Sequence, residues 1–245
     1  MPTLLLRLCG PMQSWGSQSR FTERDTEREP TKSGVVGLIC AALGRPRDAD
    51  VSDLAALRMG VRVDREGVLL RDYHTAGAET GIRRASGGLS KDPVVSNRYY
   101  LADADFLVGL EGSDRTLLER IEEALRRPKW QLFLGRKSFV PSLPPFLPGG
   151  GIRDLPLEEA LEREPWPLEP RFGALEPGAG ERRLRFVFEV PYDTPGRQLR
   201  PDQPVGAAFA TRTFGPRPVI NQFRVVRAAG NSAEGGGDVP EPARA

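Results

Sequence analysis

The feature that most limits the fold is the order in which the hydrophobic period changes along the chain. Residues 3–9, Thr-Leu-Leu-Leu-Arg-Leu-Cys, are a short apolar run stopped by Gly10-Pro11, which suits a buried strand. From Thr31 to Gly44 the spacing turns helical: Val35, Leu38, Ile39, Ala42 and Leu43 form one stripe, Thr31 or Ser33 can cap the start, and Gly44 suits the left-handed stop. Gly34 and Gly37 inside that helix let another backbone come close. Asp53 to Arg58 adds a short helix. Gly60 to Glu66 and Val68 to His74 alternate as two strands about Gly67, and Arg98 to Leu110 returns to strand. Ser113 to Arg127 is the cleanest helix, with Ser113 as cap, Leu117, Leu118, Ile121 and Leu125 at helical spacing, and Pro128 as its end. Trp130 to Leu134 completes the series as a short strand.

Strand, helix, strand, strand, helix, strand is the order of a ferredoxin-like, or RRM-like, α+β domain, expected here over residues 1–140. Such a sheet has an open face that commonly binds RNA, although a fold alone assigns no function. The pattern is interrupted at about 77–98, where Gly77, Gly81, Gly87 and Gly88 accompany Arg83, Arg84 and Lys91; this reads as an extended basic projection. Beyond it lies a smaller, β-containing region over 141–227. Its first part, 141–177, carries nine of the 23 prolines and resists continuous regular structure. Leu157 to Glu164 can make two helical turns, Leu184 to Val190 alternates as a strand, and 207–227 reads as a β segment turning at Gly215-Pro216. Residues 228–245, rich in Gly, Glu, Ala and Pro, read as a disordered tail.

Composition removes several functional classes. No apolar run approaches the roughly 18 residues of a membrane span, and the start lacks the pattern of a signal peptide. Cys9 and Cys40 lie in apolar runs and read as reduced core residues of a cytoplasmic protein. With His74 as the one histidine, no metal centre or two-histidine acid–base pair is expected, and no cofactor is called for. Of 35 basic residues 31 are arginine, yet the net charge is only +2. That balance disfavours nonspecific coating of nucleic acid and leaves room for a basic groove offset by acidic surface elsewhere. Arginine forks suit phosphate and stack on bases.

Five stretches could carry chemistry. In Gly10-Pro-Met-Gln-Ser-Trp-Gly16, Gln13 can read a base edge and Trp15 can stack, with Arg20 and Arg24 following; a core tryptophan is the bland alternative. Pro30-Thr-Lys-Ser-Gly sets Lys32 and Ser33 at a helix N-terminus as an anion site, without the spacing of a nucleotide-hydrolysing loop. Leu70-Arg-Asp-Tyr-His-Thr75 raises the question of a metal-independent ribonuclease using His74. Leu134-Gly-Arg-Lys-Ser138 offers Arg136 and Lys137 to phosphate. The basic projection could insert into a partner or a nucleic acid.

Together and in register, residues 10–16, 30–38, 43–45, 71–75, 100–106 and 134–138 resemble the CasD family, the fifth-family Cas subunits of Cascade, the type I-E CRISPR surveillance complex. The resemblance runs through residues 3–140 and weakly to about 227. It implies an RRM-like domain with a projecting β-hairpin thumb at 77–98 and a smaller C-terminal part. It implies a noncatalytic subunit that caps the 5′ handle of the CRISPR RNA for antiviral defence and meets target DNA only through the complex. The thumb, with Arg83, Arg84 and Lys91, would reach the CasC backbone subunit, and the large subunit CasA would dock nearby. By motif position, RNA contact is expected of Gln13, Trp15, Arg20, Lys32, Ser33, Arg45, His74, Arg136 and Lys137, with Arg24 and Arg98 beside them. Type I-C relatives do cut RNA, using a tyrosine, lysine and histidine cluster without a convincing counterpart here. An endoribonuclease that trims the repeat and a generic RRM-like regulator of single-stranded RNA are the alternatives.

Overall fold

The structure is a computed structural model and describes residues 1–18, 22–77, 81–83, 87–166 and 181–227. Arg20, Arg84 and the 228–245 tail lie outside the described residues. The protein is α+β, mostly sheet with few helices. In chain order the elements are β1 (Thr3–Cys9), β2 (Met12–Gln13), β3 (Glu23–Arg24), α1 (Lys32–Leu43), α2 (Ser52–Ala55), β4 (Arg58–Arg65), β5 (Val68–Ala76), β6 (Ile82–Arg83), β7 (Leu89–Ser90), β8 (Val94–Ala102), β9 (Asp105–Glu111) and α3 (Arg115–Arg126). Then follow β10 (Ile152–Arg153), α4 (Leu157–Arg163), β11 (Glu181–Glu189), β12 (Gln198–Pro204), α5 (Ala208–Thr211) and β13 (Phe214–Arg227).

A seven-stranded sheet in the order β10-β1-β9-β4-β11-β13-β12 forms the body. Strands β1, β9 and β4 come from the N-terminal part, β10 adds to the β1 edge from beyond residue 140, and β11 pairs antiparallel with β4, so the C-terminal region extends the same sheet at both edges. Alternation along β1 sends Leu4, Leu6 and Leu8 to the face covered by α1 and α3, while Leu5 joins the opposite cluster with Leu157, Leu161 and Trp166. That opposite face is not open, contrary to the RRM expectation. α4 lies on it, and the cross-strand pair Gly60 and Gly109 makes room: a Cβ on Gly109 would come within 2.6 Å of Leu157, and one on Gly60 within 2.9 Å of Leu161. Buried Arg62 closes the same end, donating to the carbonyls of Leu161 and Glu164 and pairing with Asp64 at 2.6 Å. Burial holds the Asp64 carboxyl above its ordinary value, against the pull of Arg62.

A second sheet stands apart. β5 and β8 form a continuous antiparallel hairpin from Val68 opposite Ala102 to Ala76 opposite Val94, and β6 pairs with β7 near its far end. β2 and β3 both pair with β8, β3 in parallel.

The helices meet expectation with adjustments at their ends. Thr31 caps α1 through Gly34 N, and Gly44 is left-handed at φ 73°. α3 is capped by Asp114, which accepts from Leu117 N at 3.0 Å; Ser113 is one residue too early. Gly34 and Gly37 admit rings rather than a backbone: the space beside Gly34 holds the Trp15 indole, and that beside Gly37 holds Phe209. Trp130 to Leu134 is not a strand. Its start is tied to the last turn of α1, with Lys129 N donating to Ala42 O and Trp130 N to Ala41 O. Gly215-Pro216 lies inside β13, and the turn before it is made by α5.

Candidate nucleic-acid interface

Three of the expected contact residues face inward. Gln13 is fully buried: its Nε2 donates to Leu8 O at 3.0 Å and to Ala104 O at 2.8 Å, and its Oε1 accepts from Trp15 Nε1 at 3.2 Å. With both amide hydrogens used inside the fold, Gln13 has none to offer a base. Trp15, 1% exposed, packs on α1 instead of stacking. Lys32, also 1% exposed, places Nζ at 3.0 and 2.9 Å from the two oxygens of Glu189. Burial holds the Lys32 ammonium below its ordinary pKa, with Glu189 opposing that shift. The α1 N-terminus is no free anion site either, because Lys32 N already donates to Asp202 Oδ2 at 2.8 Å and Asp202 is bound in turn by Arg217 at 2.8 Å. The motif therefore bolts α1 to the C-terminal strands.

The rest of these motifs line a cleft of about 730 Å³. One wall is the backbone of Ser14 to Ser17. The floor is the side of α1 bearing Ser33, Gly34 and Gly37, continuing to Arg45 and Arg47. The second wall is a strap from Trp130 to Lys137, and the third comes from α5 and its flanks, with Phe209, Arg212 and Phe214. Ser14 N donates to Leu134 O at 3.1 Å, and Gly135 sits at φ 88° against the Ser14 carbonyl, so strap and loop are locked together. Among the described residues no aspartate or glutamate lines the cleft. Ser33 and Lys137, two of the residues expected to contact RNA, line it. Arg45 does too, but its guanidinium is held by both oxygens of Asp53, at 2.6 and 2.5 Å. That pairing raises the Arg45 pKa and leaves less of its charge for a ligand.

A second basic group lies on one face of the β5–β8 hairpin. Parallel register sets Arg24 beside Arg98, and Arg136 Nη2 donates to Tyr99 O at 2.9 Å and to Arg24 O at 3.4 Å. Burial and then the charge of Arg98 hold the Arg136 guanidinium below its ordinary pKa, and Arg24 acts in the same direction. Asp72 and His74 share this face, 3.4 Å apart. Since Arg136 belongs to the hairpin group and Lys137 to the cleft, one dipeptide joins the two. Arg83 and Lys91 stand exposed toward the far end of the hairpin. Among the described residues no cluster of three His, Cys, Asp or Glu could hold a metal, and no helix is long and apolar enough to cross a membrane.

Sequence reasoning missed Arg47, Trp130, Phe209, Arg212 and Phe214. Trp130, just past the Pro128 helix stop, carried a signal: a tryptophan in a short polar connection has little core to enter. The C-terminal residues carried none without the fold.

Sheet and cleft together define an α+β protein with a cleft lined by cations and rings. The chain matches the family described as CRISPR-associated protein (Cas_Cas5) over residues 3–220, and it belongs to that Cas5 family. It is 39% identical to the CRISPR system Cascade subunit CasD of Escherichia coli (strain K12), over 59% of this chain and 69% of that protein. A solved structure described as a CRISPR RNA-guided surveillance complex matches with a TM-score of 0.75 at 34% identity, covering 95% of each chain. A crystal structure of a Cas protein matches with a TM-score of 0.68 at 48% identity, covering 90% of this chain and 94% of that one.

Proposed function

We propose that this chain is the noncatalytic Cascade subunit that grips and caps the 5′ handle of the CRISPR RNA in the cytoplasm. The observation that carries this reading is how the cations are partnered. Lys32, Arg58, Arg62, Arg185 and Arg217 are ion-paired within the fold. Among the described residues, Arg24, Arg47, Arg98, Arg136, Lys137 and Arg212 have no carboxylate within 4.0 Å. Arg65, Arg120 and Arg197 are likewise without an ion pair elsewhere among the described residues, so what distinguishes the six is their place: they border the cleft and the hairpin face, where they would neutralise phosphates of a splayed single strand.

The N-terminal part makes a ferredoxin-like unit with help from the second region, a reading supported by the order β10-β1-β9-β4, in which the fourth position is reduced to the two residues of β10 supplied from beyond residue 140. Residues 1–140 and 141–227 serve as its two regions. The β5–β8 hairpin is the thumb: it reaches toward the CasC backbone subunit and wedges the guide, Arg83 and Lys91 lie toward its tip, and CasA docks nearby. Target DNA is met through the complex.

The test uses the assembled complex and its guide. Alanine at Lys137 or Arg136 should flatten the log–log salt dependence of guide retention by up to ~0.7 each. Unchanged slopes at both positions overturn the assignment. Purified chain incubated with labelled repeat RNA without metal should leave it intact; specific cleavage lost in His74→Ala would replace the scaffold reading with an endoribonuclease.

A further inference from the structure

The cations account for phosphate binding, but they do not explain why the cleft is also lined with rings. Trp130 is 51% exposed and Phe214 37%, the latter edge-on to Phe209 at 6.1 Å between ring centres. They come from segments far apart in the chain, and all three line the same cleft. Exposed rings cost hydrophobic free energy, so two of them opening on one cleft call for a partner. Around them stand Arg47, Lys137 and Arg212, with no acidic neighbour in the lining among the described residues. Arg212 is held at φ 56°, a left-handed conformation uncommon outside glycine, at the C-terminus of α5 beside Phe214. A purely phosphate-binding groove needs no such rings, and a protein-docking groove of this apolar character would not be ringed by unpaired cations of one sign.

We propose that the cleft between the walls bearing Trp130 and Phe214 is a stacking subsite for an unpaired nucleobase of the bound RNA. Arg212 and Lys137 hold the phosphates flanking that base. Stacking tolerates any base, so the subsite adds affinity and fixes the strand's path without reading sequence. The C-terminal region, through α5 and the start of β13, thereby takes part in binding RNA directly. This inference rests on the RNA-binding reading of the cleft and goes beyond it by naming the ligand's base as the group bound there.

The protein carries its own reporter. Of its three tryptophans, Trp15 and Trp166 are buried and Trp130 is exposed. The experiment titrates the full chain at low salt with a short, end-labelled oligoadenylate, and with an abasic ribose–phosphate strand of the same length and charge. Label anisotropy reports binding, and tryptophan emission reports stacking. The expected result is quenching by oligoadenylate alone, and tighter binding of oligoadenylate than of the abasic strand, by roughly 5-fold to 150-fold. That preference should shrink in Phe214→Ala and in Trp130→Ala and return in Trp130→Phe. Because both rings are exposed, circular dichroism should show the variants folded. Equal binding of the two strands with unquenched emission overturns the stacking subsite while leaving the RNA-binding reading intact. Failure of both strands to bind the full chain overturns both readings.

Discussion

The Lys32 ammonium lies within 3.0 Å of both Glu189 oxygens, whereas Lys137 stands exposed in the cleft wall with no carboxylate lining beside it among the described residues. The two lysines share a chemical group and differ in partner, and the partner decides the job. Lys32→Ala leaves the half-buried Glu189 carboxylate with only Met59 N at 3.2 Å and Arg217 at 4.0 Å, and should cost about 2 kcal/mol in urea denaturation, without changing the salt slope of guide binding in any variant that still folds. Lys137→Ala should do the reverse: stability within about 0.5 kcal/mol, and a flatter slope. Cys40, in the α1 face below the cleft, gives a pH signature. Burial pushes its thiol from 9.0 up to about 11. The folded protein keeps that proton where the unfolded chain loses it, so this contribution is fully present below 9.0 and is lost as pH rises toward 11. Unfolding free energies measured above pH 9 should fall more steeply in wild type than in Cys40→Ala. Parallel curves would mean that the thiol is not shielded as the structure has it.

Among the elements, the strap from Trp130 to Lys137 has no regular structure of its own and depends on two attachments, to α1 and to the Ser14 loop. Gly135 tests the second. A Cβ there would fall 1.7 Å from Ser14 O, whereas one on Gly149 meets nothing within 4 Å, and both residues have positive φ. Gly149→Ala should therefore cost only the conformational penalty, about 1 kcal/mol. Gly135→Ala must also push strap and loop apart; it should cost at least about 2 kcal/mol more and weaken guide binding, as read by thermal denaturation and guide retention. The same strap shows where sequence and structure part. α1 and its Gly44 stop, β1, β4, β5, α3 and α4 follow from periodicity and caps, because their signals are local. The motif residues Gln13, Trp15 and Lys32 point at the right place, yet their partners Ala104, Gly34 and Glu189 are remote in sequence, so nothing local tells a buried tie from an exposed contact. The closed second face of the sheet was hidden for the same reason: Gly60 and Gly109 acquire meaning only once they stand opposite each other beneath α4. β12, with two prolines in seven residues, gives no strand signal and is recruited by the edge of β13.

At the scale of the whole molecule, the two regions share one sheet and both of its covering layers. β11 pairs with β4 from Arg185 opposite Val63 to Phe188 opposite Gly60, and α4 covers β1, β4 and β9 from the far side of the chain. Charge pairs cross the same seam: Lys32 to Glu189, Arg58 to Glu158, and Arg185 to Glu29. A piece ending at residue 140 would expose Leu5 and Leu107 and leave β4 as an open edge. At about 25 cal/mol per Å² of apolar surface, losing the α4 layer removes several kcal/mol, comparable with the whole stability of an ordinary domain. The full chain should therefore melt in a single transition whose calorimetric and van't Hoff enthalpies agree. A 1–140 fragment should show no cooperative melt and no guide binding, since α5 and Phe214, which complete the cleft, are missing from it. A fragment that folds alone and still holds RNA would show instead that the C-terminal region is an accessory, and that loop, strap and α1 make a sufficient grip without the third wall.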